Sequence, residues 1–431
     1  MPESGGAISS PRLSKLILVR CSHIVRPGQD TSSFHSYERH LEYVPSVIRL
    51  ISTLCPDLMT FHFSVSRRFY PELSRHEVVT VATSFQHTEE LNLLDKDFGP
   101  FLLKDLSTAV INHITTLNLL PSYSTTILKS DIPLRKILCT FKHLVHLRAP
   151  RAAYFVDEMD LHDVQEQLRD HWNPKPRRSS HRMDRLNPRI PSDDPVAARQ
   201  YVWACRGLRT LHMGVTCRDS DAELEELSLI IFGFLSRMCP RLRDLQLRMW
   251  NTTLTLSGGL SLLTRLQDLE RVVIAMDYYP MMKEGNLFWL SSTPPSILDR
   301  LGYPLLRRKA LQKHRKRFRL LPPAKVTTAE SKLVERGQEL GIDLSKIGYP
   351  EDLMEWMKEY YKPSSSSSSS FSSSTLPLPK LRTFWIEYPG SRRDGIVEKL
   401  HEFVTKIRPE VDIRLCKIPQ DVYFTSTVKC L

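Results

Sequence analysis

Two short stretches hold residue types that metal or acid–base chemistry uses, "CSH" at Cys21–His23 and "HSYERH" at His35–His40. A metal needs converging ligands, and histidines five residues apart do not share a helix face, where neighbours stand three or four apart. Surface or capping roles are expected for them. Eight cysteines, Cys21, Cys55, Cys139, Cys205, Cys217, Cys239, Cys416 and Cys430, are scattered without a CxxC pair or zinc-type spacing, and they read as reduced thiols. The chain has no phosphate-cradling glycine loop, no HExxH and no GxSxG. No catalytic residue, metal site or cofactor is expected, which leaves recognition rather than reaction.

Charge is one route to recognition. Sixty Lys and Arg against forty-eight Asp and Glu give the 431 residues a formal +12, and eight of those cations crowd into "RRKALQKHRKRFR" without an acid: Arg307, Arg308, Lys309, Lys313, Arg315, Lys316, Arg317 and Arg319. Such a run fits a solvated face, an address read by a nuclear import receptor, or a contact with RNA or DNA phosphates. No interleaved aromatic platform for stacking bases accompanies it. The longest apolar stretch, "LSLIIFGFL" at Leu227–Leu235, is too short to span a bilayer. The opening "MPESGGAISSPRLSKLILVRC" does not follow the signal-peptide pattern. A cytoplasmic or nuclear protein without a membrane partner is expected.

A scaffold must hold these groups, and the sequence spells it as an internal repeat. "CPRLRDLQLRMW" at Cys239–Trp250 and "CPDLMTFHFSV" at Cys55–Val65 share a frame, L-x-x-L-x-L. The frame begins at Leu13, Leu58, Thr88, Ile114, Leu144, Leu208, Leu242, Leu269 and Leu381. Three residues earlier stand Ser10, Cys55, Phe85, Ile111, Phe141, Cys205, Cys239, Leu266 and Leu378, eight of nine apolar, in a column the frame itself does not select. Alternation inside the frame predicts a short strand with one apolar face. The stretches ahead, such as "HLEYVPSVIRLISTLC" and "ELEELSLIIFGFLSRMC", have the three- and four-residue spacing of a helix with one buried stripe. Neither element buries its apolar face alone, so successive pairs must stack. In the repeated Cys-Pro, a small hydrophobe closes the helix and proline stops it.

These frames resemble leucine-rich repeats, and the irregular lengths with C-P-x-L openings are similar to the fungal leucine-rich-repeat proteins of the F-box type. The resemblance implies an α/β leucine-rich-repeat solenoid, with a curved parallel sheet on the concave face and helices on the convex face. It also implies substrate recognition for a cullin-RING ubiquitin ligase, with a Skp adaptor engaged through an F-box ahead of the repeats. Here the first frame begins at Leu13, so an F-box would have to lie upstream; "YPEDLMEWMKEYY" at Tyr349–Tyr361 has only an F-box-like beginning.

Frame spacing is about 26 to 45 residues except between Leu144 and Leu208 and between Leu269 and Leu381, which marks two insertions. The expected organisation is a first solenoid half over 1–156, a basic Pro/Arg-rich loop over 157–196, and central repeats over 197–282. A composite insertion follows over 283–375, then a last repeat and cap over 376–431. The composite insertion holds the basic run, helices near Ala329–Leu340 and Glu351–Tyr361, and the serine tract Ser364–Ser374. The outward residue in mid-frame is Ile17, His62, Asn92, Asn118, Arg148, His212, Gln246, Val273 and Trp385, flanked by Glu90, His146, Asp244, Arg248 and Arg271. Polar residues there suit any solvated sheet face. They also suit a protein-binding surface, for which His62, Asn92, Asn118, Arg148, His212, Asp244, Gln246, Arg248 and Trp385 are the candidates. The function expected is non-catalytic protein–protein interaction, and the rival is a nuclear protein contacting nucleic acid through the basic insertion.

Overall fold

The computed structural model describes residues 15–19, 60–64, 89–93, 108–119, 134–156, 201–216, 224–249, 258–276, 328–344, 352–356, 377–389 and 408–418, with a few isolated positions between them. The chain forms two compact units, one of Met1–Pro133 with His143–Ala152 and one of Leu134–Lys142 with Ala153–Leu431. In the first, strands β1 (Lys15–Val19), β2 (Thr60–Ser64), β3 (Glu90–Leu93), β4 (Thr116–Leu119) and the part of β5 (His146–Phe155) up to Ala152 pair in chain order, all parallel. In the second, β6 (Thr210–Thr216), β7 (Asp244–Met249), β8 (Arg271–Met276), β9 (Thr383–Pro389) and β10 (Asp412–Ile418) do the same. Helices α1 (Thr108–His113), α2 (Leu134–Thr140), α3 (Leu224–Met238) and α4 (Thr328–Leu340), with a 3-10 helix at Leu260–Arg265, complete an α/β fold.

The last two apolar residues of each of the nine frames lie on a strand, and they point inward wherever burial is described. Leu117, Leu147, Leu211, Leu245, Val272 and Phe384 are fully buried, as are Ala149, Met213, Leu247 and Ile274. Burying one such side chain contributes about 1.5–3 kcal/mol relative to leaving it in water. The column three residues ahead is buried too, at Ile111, Phe141, Cys205, Cys239, Leu266 and Leu378. Its carbonyl accepts the N–H of the first frame residue, as from Leu242 to Cys239 at 3.1 Å and from Leu269 to Leu266 at 3.0 Å. This explains the Cys-Pro: α3 ends at Met238, Cys239 turns its side chain into the core, and Pro240 sits at the turn position where a fixed φ helps.

The second frame residue then joins neighbouring strands. Arg209 carbonyl accepts the N–H groups of Arg243 and Asp244 at 2.8 and 2.9 Å; Arg243 carbonyl accepts those of Glu270 and Arg271 at 2.8 and 2.9 Å. The same doubled bond recurs from Arg382 and Thr383 to Glu270, from Thr115 and Thr116 to Glu89, and from Val145 and His146 to Thr115.

A tenth strand, β10, has no frame in the sequence. Val411 donates its N–H to Arg408 at 3.0 Å, as Leu381 does to Leu378 at 3.1 Å, so Val411 is the first frame residue. From Val411 to the inward Ile413 is one residue shorter than from Leu381 to Phe384, and the column ahead holds Arg408 rather than a hydrophobe. Arg408 is nonetheless 2% exposed, donating to Pro377 carbonyl at 2.8 Å and Leu290 carbonyl at 3.4 Å and pairing with Glu410.

Helix α3 also departs from the single buried stripe its spacing predicts: every residue from Leu227 to Ser236 is buried. Its inner face meets the core, where Phe234 packs edge-on to Trp203 at 5.1 Å. Its outer face is covered by the composite insertion, whose two helical stretches fall at α4 and 352–356, near their expected places. Gly348 (φ 73°) lies so close that a Cβ there would stand 2.8 Å from Ile230 Cα, and a Cβ on Gly233 would stand 2.7 Å from Gly348 N. Asp352, fully buried, accepts from Arg265 at 2.5 Å and Arg237 at 3.4 Å, and Trp356 Nε1 donates to Thr264 Oγ1 at 2.5 Å. Gly348, Asp352 and Trp356 of that insertion therefore belong to the core of the second unit.

Three substitutions test these contacts. Leu245→Ala should lower the unfolding free energy by about 2–5 kcal/mol in urea titration, the range for a buried leucine. A side chain at 348 meets both backbone and a left-handed φ, so Gly348→Ala should cost about 2 kcal/mol or more. Gly207→Ala, with open space around it, should change stability by less than about 0.5 kcal/mol.

Candidate recognition surface

A strand sends alternate side chains to opposite faces, so the residues between the buried ones must face out. Their register is unbroken in each unit. Ile17, His62, Asn92, Asn118 and Arg148 stand side by side across β1–β5, and His212, Gln246, Val273, Trp385 and Arg414 across β6–β10. His62 is placed by this register alone. Arg414, on β10, is a member that the sequence reading missed with its strand.

In the first unit three strands are cross-linked along this column. Asn92 Nδ2 donates to Glu90 Oε1 at 3.1 Å, Asn118 Nδ2 to Asn92 Oδ1 at 2.5 Å, and Arg148 to Asn118 Oδ1 at 3.2 Å. Each amide thus uses its oxygen toward one neighbour and its nitrogen toward the other. Both asparagines are buried, and the row closes on the guanidinium of Arg148.

The second unit builds its surface around carboxylates. Asp244 Oδ2 meets His212 Nε2 at 3.0 Å and Oδ1 accepts from Arg271 at 3.0 Å. Burial works against its ionisation, but the His212 bond and the charges of His212 and Arg271 outweigh burial and hold its carboxyl below the usual range. Asp412 repeats the arrangement: Oδ2 accepts from Trp385 Nε1 at 3.1 Å and Oδ1 from Arg414 Nε at 2.7 Å. The Arg414 guanidinium lies over the Trp385 ring, 5.0 Å from its centroid. Gln246 and Arg248 are half-buried beside this row on β7, while Val273, between Gln246 and Trp385, is buried.

One row further along β9 and β10, Glu387 stands beside Cys416, and burial pushes both groups up, against the pull of Arg271 on Glu387 and of Arg414 on Cys416. The cysteines behind the sheet are closed to chemistry as thiolates. Cys205 donates to Leu138 carbonyl at 3.4 Å and burial pushes its thiol up to about 12; Cys239 is driven well above its ordinary value by burial and by Cys205. Cys139 is buried as well. Among the described residues no group of three or more His, Cys, Asp or Glu could hold a metal ion.

Several sequence candidates lie outside the described residues: Cys21 to His23, His35 to His40, Cys55, the Pro/Arg-rich loop apart from the buried Met159 and Leu161, the basic run Arg307 to Arg319 and the serine tract. Among the described residues no helix is long and apolar enough to cross a membrane. Compared with protein-family models and with curated proteins, the chain matches none.

The Asp244 cluster has a pH signature. A carboxyl held below its unfolded value of about 3.9 contributes stability that is fully present above that value and is lost as pH falls through the folded value. Wild type should therefore exceed Asp244→Asn in urea midpoint at pH 6, and the gap should narrow below about pH 4. A gap independent of pH would show that Asp244 acts without its charge.

Proposed function

We propose that the chain is a leucine-rich-repeat solenoid that binds another protein through its outward strand face, the concave face of such an architecture, and performs no catalysis itself. The observation that carries this reading is the pair of cross-linked polar columns. A merely solvated face has no need of side chains that fix one another across successive strands, whereas a recognition surface gains affinity from groups already held in place. Trp385 adds a half-buried aromatic to that face, the residue type enriched at binding hot spots. The resemblance to F-box-type leucine-rich-repeat proteins favours one setting, substrate recognition for a cullin-RING ubiquitin ligase with a Skp adaptor as second partner.

Site-specific photocrosslinking tests the face. A crosslinking residue at Gln246 or Trp385 should capture a discrete partner in cells, and one at Val334, exposed on α4, should not. Capture only at Val334 would overturn the assignment of the face. Co-purification of a Skp adaptor and a cullin with the tagged chain is expected for the ligase setting, and their absence from a complex that holds the crosslinked partner would remove it.

A further inference from the structure

The outward face of the second unit is unbalanced in its hydrogen-bonding capacity, and that imbalance names a partner chemistry. Both carboxylates at its centre have each oxygen already engaged from within. Asp244 has one oxygen on His212 and the other on Arg271; Asp412 has one on Trp385 and the other on Arg414. The two guanidiniums are engaged only in part. Arg271 donates through NH1 to Asp244, and Arg414 through Nε to Asp412, out of five N–H groups each. The Arg414 side chain is 57% exposed and that of Arg271 31%. Glu387 is the outward carboxyl of β9; burial raises its pKa against the pull of Arg271, which stands close enough to offset its charge.

We propose that this face, around Arg271, Trp385 and Arg414, binds an acidic segment of a protein partner, whose Asp or Glu carboxylates take the guanidinium N–H groups that the inner carboxylates leave unused. It rests on the reading of this face as a partner surface and states what that surface selects. Arg271 and Arg414 lie two strands and two residues apart in register. That is roughly 12 Å, the reach of three to four residues of extended chain. An acidic residue at about every fourth position can therefore meet both arginines. Paired charge-assisted bonds of this kind are the strongest available to a carboxylate. Nucleic acid fits less well, because the cations are few and interleaved with carboxylates, and the Trp385 ring that a base would stack on is already covered by Arg414. The formal +12 of the whole chain assists the encounter with an acidic partner.

The test uses the full chain and a fluorescein-labelled Ser/Gly peptide with Glu at every fourth position, read by anisotropy beside its Gln twin. The Glu peptide should bind and the Gln twin should not. Arg414→Gln should weaken binding about tenfold with unchanged melting, and Arg414→Lys, which keeps charge but not the fork, should fall between. Replacing Arg315, Lys316 and Arg317 by Ala should leave affinity intact. Equal binding of the twin, indifference to Arg414→Gln, or loss of binding with the basic-run variant would each overturn the proposal. So would a uridine-rich RNA that displaces the peptide and shares its dependence on Arg414. If a crosslinker at Gln246 captures a partner that excess Glu peptide fails to displace, the face binds proteins but not by this chemistry. Capture nowhere on the face would remove the parent reading as well.

Discussion

The organisation of this protein depends on one backbone contact, the carbonyl of the second frame residue accepting two successive N–H groups from the next strand. Arg209, Arg243, Glu270, Glu89 and Thr115 all play this part. Parallel strands are joined by long connections that do not set register, and a slip of one residue would turn every inward side chain to solvent. A carbonyl clamped by two consecutive donors locks the offset just before each strand starts. Leu211, Leu245, Val272 and Phe384 then fall into one inward row, and His212, Gln246, Val273 and Trp385 into one outward row. The core and the candidate surface are two consequences of the same register.

The second unit adds a layer. Helix α3 has too much apolar surface for a single contact face, and Gly348 and Asp352 lie against its other side, with Ile347, Leu353 and Trp356 buried nearby in sequence. Backbone meets backbone at Gly233 and Gly348, which only glycine permits. The buried carboxylate of Asp352 is costly to desolvate, and two arginines on different elements, Arg237 and Arg265, both reach its Oδ1 and offset part of that cost, while Oδ2 is buried without a hydrogen-bond partner. Removing either partner of such a pair leaves a buried charge, so the contact favours one docking position strongly over any neighbouring one.

On the outward face the polar groups are more fully paired. Asn92 and Asn118 are buried but each has an acceptor on one side and a donor on the other, and Asp244 and Asp412 each have two donors. These polar groups are organised before any partner arrives. On β8 to β10, Arg271 and Arg414 each use one donor on these carboxylates out of the five that a guanidinium has.

Much of this was legible in the chain itself. A frame of period two with an apolar residue three positions ahead determines that strand follows turn, which residues are buried, and which column faces out, because only alternation of side chains along a strand satisfies it. The pairing of His212 with Asp244, of Trp385 with Asp412, and of Asn118 with Asn92 was not legible, since it joins residues 26 to 32 apart through lateral strand contact. Strand β10 escaped because its turn is one residue shorter and Arg408 stands where a hydrophobe is usual; a buried arginine is intelligible only when the carbonyls of Leu290 and Pro377 are seen around it. The cover over α3 was hidden for the same reason. Sequence determines periodicity and so one face of each element; what lies against the other face depends on distant residues brought close, and that only the tertiary structure decides.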